Sequence, residues 1–251
     1  FLTRLAKIND GKFEVGSRQD VDAVLAAVRG AKAWKVASIE TQPRKRYAPP
    51  PFITSTLQQA ASSALGFSAS STMRIAQQLY EGIDTPAGHL GLITYMRTDS
   101  VAIAAEAQNA CRDFIFANYG PKFVPAKPNI YKSKSNAQGA HEAIRPTDVT
   151  LTPESLKDTL DAQQLKLYKL IWRRFLASQM APADQLRTTA DVEGTGSDAR
   201  QYTFRATATV TTFPGFLKAY NIEEEGAAKS DDDDTRDADA LAKLRENALC
   251  T

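Results

Sequence analysis

The chain has 251 residues, 43% of them hydrophobic and 24% charged, with a formal net charge of +2. That length accommodates one large or two modest domains with packed cores, and no stretch approaches the roughly 20 apolar residues of a membrane span. Cys111 and Cys250 lie far apart and form no metal-binding spacing, which predicts two free thiols in a reducing cytosol and excludes a disulfide scaffold.

Asn9-Asp10-Gly11 between apolar flanks predicts a hairpin within the first fifteen residues. Val21, Val24, Leu25 and Val28 have helical spacing over residues 18–29, and the run from Trp34 to Thr41 alternates like a strand. From Thr54 the pattern is helical. One helix over 55–65 ends at Gly66, a residue suited to the left-handed position after a helix. A second, capped by Ser70 or Ser71, runs through Tyr80 to Gly82, with Met73, Ile75, Ala76, Leu79 and Tyr80 suited to core packing. The Pro86–His89 stretch reads as a surface loop, and residues 90–94 as a short buried strand.

Thr98, Asp99 and Ser100 are all good helix-capping types, so a helix is expected from Val101 to Asn118. A Pro- and Lys-rich loop covers 120–139. Thr152-Pro153-Glu154 predicts a helix start with proline in the first turn. Residues 163–180 predict a long helix whose aromatic stripe is core. After Pro182, residues 187–192 and 201–212 alternate as strands about a turn at 194–197. The pattern is an α+β multidomain chain, with a helical domain (51–182) inserted into a β-rich one made of both flanks (1–50 and 183–251).

Charge is distributed unevenly. Between Glu223 and Asp239 there are nine acids against Lys229 and Arg236, which leaves 29 basic and 20 acidic residues elsewhere. The acidic stretch predicts a solvated loop, and the basic remainder a polyanionic partner. Arg44, Lys45, Arg46, Lys132, Lys134, Arg145, Arg173 and Arg174 are its candidate contributors.

The most informative segment is Gly91-Leu-Ile-Thr-Tyr-Met-Arg-Thr-Asp-Ser100. Only about one phenol in a thousand is ionised at neutral pH, so a nucleophilic Tyr95 needs a neighbouring cation or base. Arg97 offers a planar, permanently charged fork that matches phosphate oxygens. The expected helix start would add free backbone N–H groups as an anion site. A lone Tyr-x-Arg is most often an ordinary strand residue beside a solvated cation, so the weight falls on the whole string. A second segment, Ala140-His-Glu-Ala-Ile-Arg-Pro-Thr-Asp148, places a histidine beside an arginine, and histidine can donate to phosphate or relay a proton near pH 7. A third reads Pro51-Phe-Ile-Thr-Ser-Thr-Leu-Gln-Gln59.

In this order the three segments resemble the signatures I-T-Y-M-R-T-D-S, H-E-A-I-R-P and P-F-I-T-S-T-L-Q-Q of the type IA DNA topoisomerases, and the resemblance runs from about Trp34 to about Phe216. The string T-S-T-L-Q-Q-A-A-S is similar to the bacterial topoisomerase I branch. The resemblance implies a β-rich arch (domain II) enclosing a helical domain (domain III). It implies Tyr95 as nucleophile forming a 5′-phosphotyrosine, with Arg97 and His141 at the scissile phosphate. Thr98, Asp99, Glu142 and Arg145 would contact or orient the strand.

Further implications are relaxation of negatively supercoiled DNA without ATP, single-stranded DNA as partner, and a cytoplasmic, nucleoid-associated setting away from membranes. Mg²⁺ would be held by acidic residues of a separate Toprim domain, with none bound by this chain. The chain opens on Phe1 and stops at Thr251, so it is expected to be an internal fragment, inactive alone without that domain. A second class of function stays open: a single-stranded DNA binding and gate or hinge module without chemistry in isolation. A tyrosine recombinase or relaxase would need a larger Arg/His set or a His–metal cluster, and neither is visible.

Overall fold

The computed structural model describes residues 2–9, 11–13, 16–85, 88–132, 142–220 and 249–250, which divide into two units. The first comprises the chain up to Lys45, Asp184–Phe213 and the terminal strand. The second comprises Arg46–Ala183 and the segment after Pro214. The chain passes from the first unit to the second after Lys45 and back after Ala183. Residues 214–220 return to the helical unit, where Phe216 and Ala219 are buried and the Phe216 N–H donates to the Ala181 carbonyl at 2.9 Å. So short a stretch has no period for a pattern to report.

The first unit is a six-stranded sheet with helix α1 (Arg18–Arg29). Its strands are β1 (Arg4–Ile8), β2 (Gly11–Lys12), β3 (Trp34–Arg46), β6 (Ala183–Thr195), β7 (Gln201–Phe213) and β8 (Leu249–Cys250), in the order β2-β1-β7-β6-β3-β8. The expected β1–β2 hairpin is present, with Asn9 in the left-handed region at φ 46°. Strand β3 runs to Arg46, five residues beyond the alternating stretch. Helix α1 begins at Ser17, whose side chain accepts from the Asp20 N–H, and it buries Val24 and Ala27 against Tyr202. Trp34 meets Phe204 edge-on at 5.3 Å. In the β6–β7 turn, Asp198 accepts from the Tyr202 hydroxyl at 2.8 Å and from Arg200, which holds its carboxyl below the usual range despite the opposing cost of desolvation.

The helical unit contains α2 (Thr54–Leu65), α3 (Ala69–Glu81), α4 (Ala105–Tyr119) and α5 (Ala162–Gln179). Helix α2 ends at Gly66 with φ 69°, as its sequence requires, and α3 is capped one turn early by Ser68. Strand β4 (Ile83–Thr85) pairs antiparallel with β5 (Gly88–Leu90), so Gly88 and His89 of the expected loop stand in a strand. Helix α5 starts at Asp161, whose carboxylate accepts from the Gln163 and Gln164 N–H groups while the Gln164 side chain returns to the Asp161 N–H. The helix expected at Thr152 is absent; residues 153–159 are turns, with Thr152 Oγ1 accepting from the Ser155 N–H.

The α5 stripe is core, as its spacing predicts. Tyr168, Ile171, Trp172 and Phe175 are buried, and their polar atoms are satisfied: Tyr168 Oη donates to Leu151 O at 2.6 Å and Trp172 Nε1 to Val149 O at 2.9 Å. Cys111 packs in the same core as a free thiol, and burial pushes its pKa up, which makes it an inert filler. The side chain of Cys250 and the acidic stretch 223–239 lie outside the described residues.

Trp172→Phe removes part of the indole volume and leaves the Val149 carbonyl without its donor. It is expected to destabilise the helical unit by about 1–3 kcal/mol, read from the shift in urea midpoint.

Candidate active site

Residues 91–100 run as an extended, irregular segment through the helical unit, and burial alternates along it. Leu92, Ile93, Met96, Thr98 and Ser100 are buried; Tyr95, Arg97 and Asp99 are exposed. Met96, fully buried between Tyr95 and Arg97, forces its two neighbours outward. Tyr95 is 45% exposed. Among the described residues, neither its hydroxyl nor the Arg97 guanidinium is tied to another group by a hydrogen bond.

The segment is fixed from three sides. The Leu92 N–H donates to Leu79 O at the end of α3 at 2.7 Å. Thr94 joins it to the Ala143–Thr147 segment: its N–H donates to Arg145 O at 2.9 Å, its hydroxyl donates to Ala143 O at 2.7 Å, and that hydroxyl accepts from the Arg145 N–H at 3.0 Å. Thr147 continues the pairing, its N–H donating to Leu92 O and its hydroxyl to Gly91 O at 2.7 Å. On the third side Thr54, the first residue of α2, donates through its hydroxyl to Met96 O and accepts from the Thr98 N–H at 2.9 Å. The P-F-I-T, T-Y-M-R-T and E-A-I-R-P motifs therefore meet in space, with Phe52 bridging Ile144 and Ile93 bridging Pro146.

The structure corrects the expected helix start. Thr98 Oγ1 accepts from the Ser100 N–H at 3.1 Å and Ser100 Oγ from the Ala102 N–H at 3.1 Å. These local bonds offer the backbone an alternative to the helix, and Ala102 O is taken by the Ala143 N–H. Helix α4 begins only at Ala105, so no helix N-terminus forms directly behind Asp99. Its first turn is occupied instead: Glu142 Oε1 accepts from the Ala104 N–H at 3.0 Å, a carboxylate placed where the helix dipole favours it.

Glu142 also holds Arg145. Its Oε2 accepts from Arg145 Nε at 2.9 Å and Nη2 at 2.6 Å, while Arg145 Nη1 donates to Pro146 O. With its side chain 12% exposed, Arg145 faces inward as a brace for the segment that carries Thr94's partners. Arg174 is similarly engaged, lying 4.2 Å over the Phe52 ring and donating to Tyr220 Oη, whereas Arg44, Lys45, Arg46 and Lys132 are exposed. His141 and Lys134 lie outside the described residues.

Two features escaped the sequence reading. Thr54 gave only the signal of a polar residue at a helix start. Tyr80, grouped with the core positions of α3, is 41% exposed and meets the Tyr95 ring edge-on, with centroids 5.3 Å apart and planes at 63°. Among the described residues no group of three or more His, Cys, Asp or Glu side chains could hold a metal ion.

The family model described as DNA topoisomerase matches residues 3–249, and the chain belongs to that family. It is 42% identical to DNA topoisomerase 1 of Rickettsia felis over 92% of this chain and 30% of that protein. It is also 42% identical to DNA topoisomerase 1 of Xylella fastidiosa (strain Temecula1), over 94% of this chain and 29% of that one. The full-length topoisomerase I structure from Thermotoga maritima superimposes with a TM-score of 0.72 at 34% identity, covering 97% of this chain and 36% of that chain. The chain thus spans about 30% of the length of the curated relatives it matches.

Two outcomes follow from the framing of the segment. Met96→Ala is expected to cost about 2–5 kcal/mol and Thr94→Val about 1–3 kcal/mol in chemical denaturation, the second because Ala143 O and the Arg145 N–H lose their partner. In the β4–β5 pair, the hydrogen bond that His89 Nδ1 donates to Asp84 Oδ1 at 2.7 Å raises the pKa of His89 above its ordinary value of 6.5. That contact stabilises the hairpin fully below pH 6.5 and ceases to do so as pH rises through the folded value. An NMR titration of His89 should show the raised value, and Asp84→Asn should return it toward 6.5.

Proposed function

We propose that Tyr95 is the nucleophile of a DNA strand transferase within a type IA topoisomerase. The observation that carries the reading is a half-exposed tyrosine, its hydroxyl without a hydrogen-bond partner among the described residues, on a framed segment that turns Arg97 to solvent two residues later. In the reaction, Tyr95 Oη attacks the phosphorus of a single-stranded DNA phosphodiester. An O–P bond forms and the P–O3′ bond breaks. The phenolic proton is released and the 3′ oxygen takes one up. The 5′ phosphate remains on the tyrosine, so the count of phosphoester bonds is unchanged and the reverse attack by the 3′-hydroxyl reseals the strand without ATP.

Arg97 stabilises negative charge on the non-bridging oxygens. His141 donates to the same phosphate. Asp99, exposed beside Arg97, orients the approaching strand, while Thr98, Glu142 and Arg145 act through the frame that presents it. The Mg²⁺ and Toprim contribution belongs to the remainder of a longer, bacterial and nucleoid-associated protein that relaxes negatively supercoiled DNA by opening a gate at the cleaved strand. The segment alone is accordingly expected not to cleave.

The test uses the full-length protein with Mg²⁺ and an end-labelled single-stranded oligonucleotide, denatured after incubation. A covalent protein–DNA band is expected, absent in Tyr95→Phe with oligonucleotide binding retained. A band of undiminished intensity in Tyr95→Phe overturns the assignment, and no band in either protein despite DNA binding leaves a binding and hinge module as the better account.

A further inference from the structure

We infer that Tyr80 is a positioning residue for Tyr95, acting through its ring. The inference rests on the reading of Tyr95 as nucleophile. A tyrosine on an extended segment can swing about two side-chain torsions, and with nearly half its surface exposed little else restrains it. In-line attack needs the phenolic oxygen held within a narrow range of positions, and small misplacements lower the rate steeply. The Tyr95 ring meets the Tyr80 ring in the tilted edge-on geometry that aromatic pairs prefer.

Tyr80 is itself held. It lies in the last turn of α3, and its neighbours Ala76 and Leu79 are buried. The backbone around it is clamped to the nucleophile's own segment: Leu92 N–H donates to Leu79 O, and Gly91 passes so close that a Cβ there would lie 2.7 Å from Tyr80 O. The Ile83–Leu90 hairpin closes on itself, with Ile83 paired to Leu90, which returns the chain to α3 directly before Gly91. Glycine at 91 is thus a matter of space: a methyl group would push the segment and the α3 terminus apart, separating the two rings.

The experiment compares Tyr80→Phe, Tyr80→Leu and Gly91→Ala in the full-length protein, measuring the rate of covalent-complex formation at saturating oligonucleotide and, separately, oligonucleotide affinity. Tyr80→Leu and Gly91→Ala are expected to slow cleavage about 3- to 10-fold with affinity changed less than about 2-fold, the range of an aromatic pair expressed as a rate. Tyr80→Phe, which keeps the ring, should cleave within about 2-fold of the parent. An unchanged rate in Tyr80→Leu overturns the inference. So does a loss confined to affinity, which would mark Tyr80 as a base-stacking surface, or a Tyr80→Phe defect equal to that of Tyr80→Leu, which would assign the role to the hydroxyl. Because Tyr80 is 41% exposed, its variants retain the fold, and their melting temperatures check this. Tyr95→Phe run in parallel separates the two readings: a covalent band persisting there removes the nucleophile itself, whatever Tyr80 does.

Discussion

One hydroxyl group holds the site together. Thr94 Oγ1 gives its proton to Ala143 O and takes one from the Arg145 N–H, and the adjoining backbone bonds extend the joint to Gly91 and Thr147. Through it two segments fifty residues apart become one small framework without forming a sheet. Without that joint Tyr95 would sit on a loop; with it, the residue before Tyr95 is anchored in the half-buried interior, where an unmade hydrogen bond is costly. Threonine suits the position because a single β-branched side chain both donates and accepts while restricting its own rotation.

The charged groups divide according to that framework. Arg145 and Arg174 are occupied by a carboxylate, carbonyls, a phenol and a ring, and their role is to brace. Arg97 stands in the exposed series with Tyr95 and Asp99 and has no such ties among the described residues. Residue type alone does not distinguish these arginines. The difference lies in what the fold places beside each: Glu142 is three residues from Arg145, whereas buried Met96 and Thr98 flank Arg97 and turn it outward. A phosphate would meet Arg97 without first displacing a protein partner.

Much of this was legible in the residues, and where it was not, the reason is physical. Gly66 and the Asn9 turn act through local chemistry, so their elements ended where local rules end them. The α5 stripe was legible because a long helix repeats its signal. Thr98 and Ser100 misled because a hydroxyl that caps a helix can equally tie down an extended turn, and only the distant Ala143 N–H on Ala102 O decides between them. Thr152 misled in the same way. The motifs marked Tyr95 and Arg97 through family resemblance, but they were silent on Glu142 capping a helix 38 residues away and on Tyr80 leaving the core, since both depend on contacts that no local window contains.

The small hairpin ahead of the site carries a consequence for how this region can vary among related chains. Its closing pair, Ile83 with Leu90, insulates what lies beyond from the residues between, so insertions or deletions at its tip leave the path from Gly91 onward unchanged. The decapeptide that follows has no such tolerance. Its side chains alternate between interior and solvent, and adding or removing a single residue between Thr94 and Thr98 would turn Met96 outward and a charge inward. Length polymorphism should therefore collect at the hairpin tip and stop abruptly at Gly91.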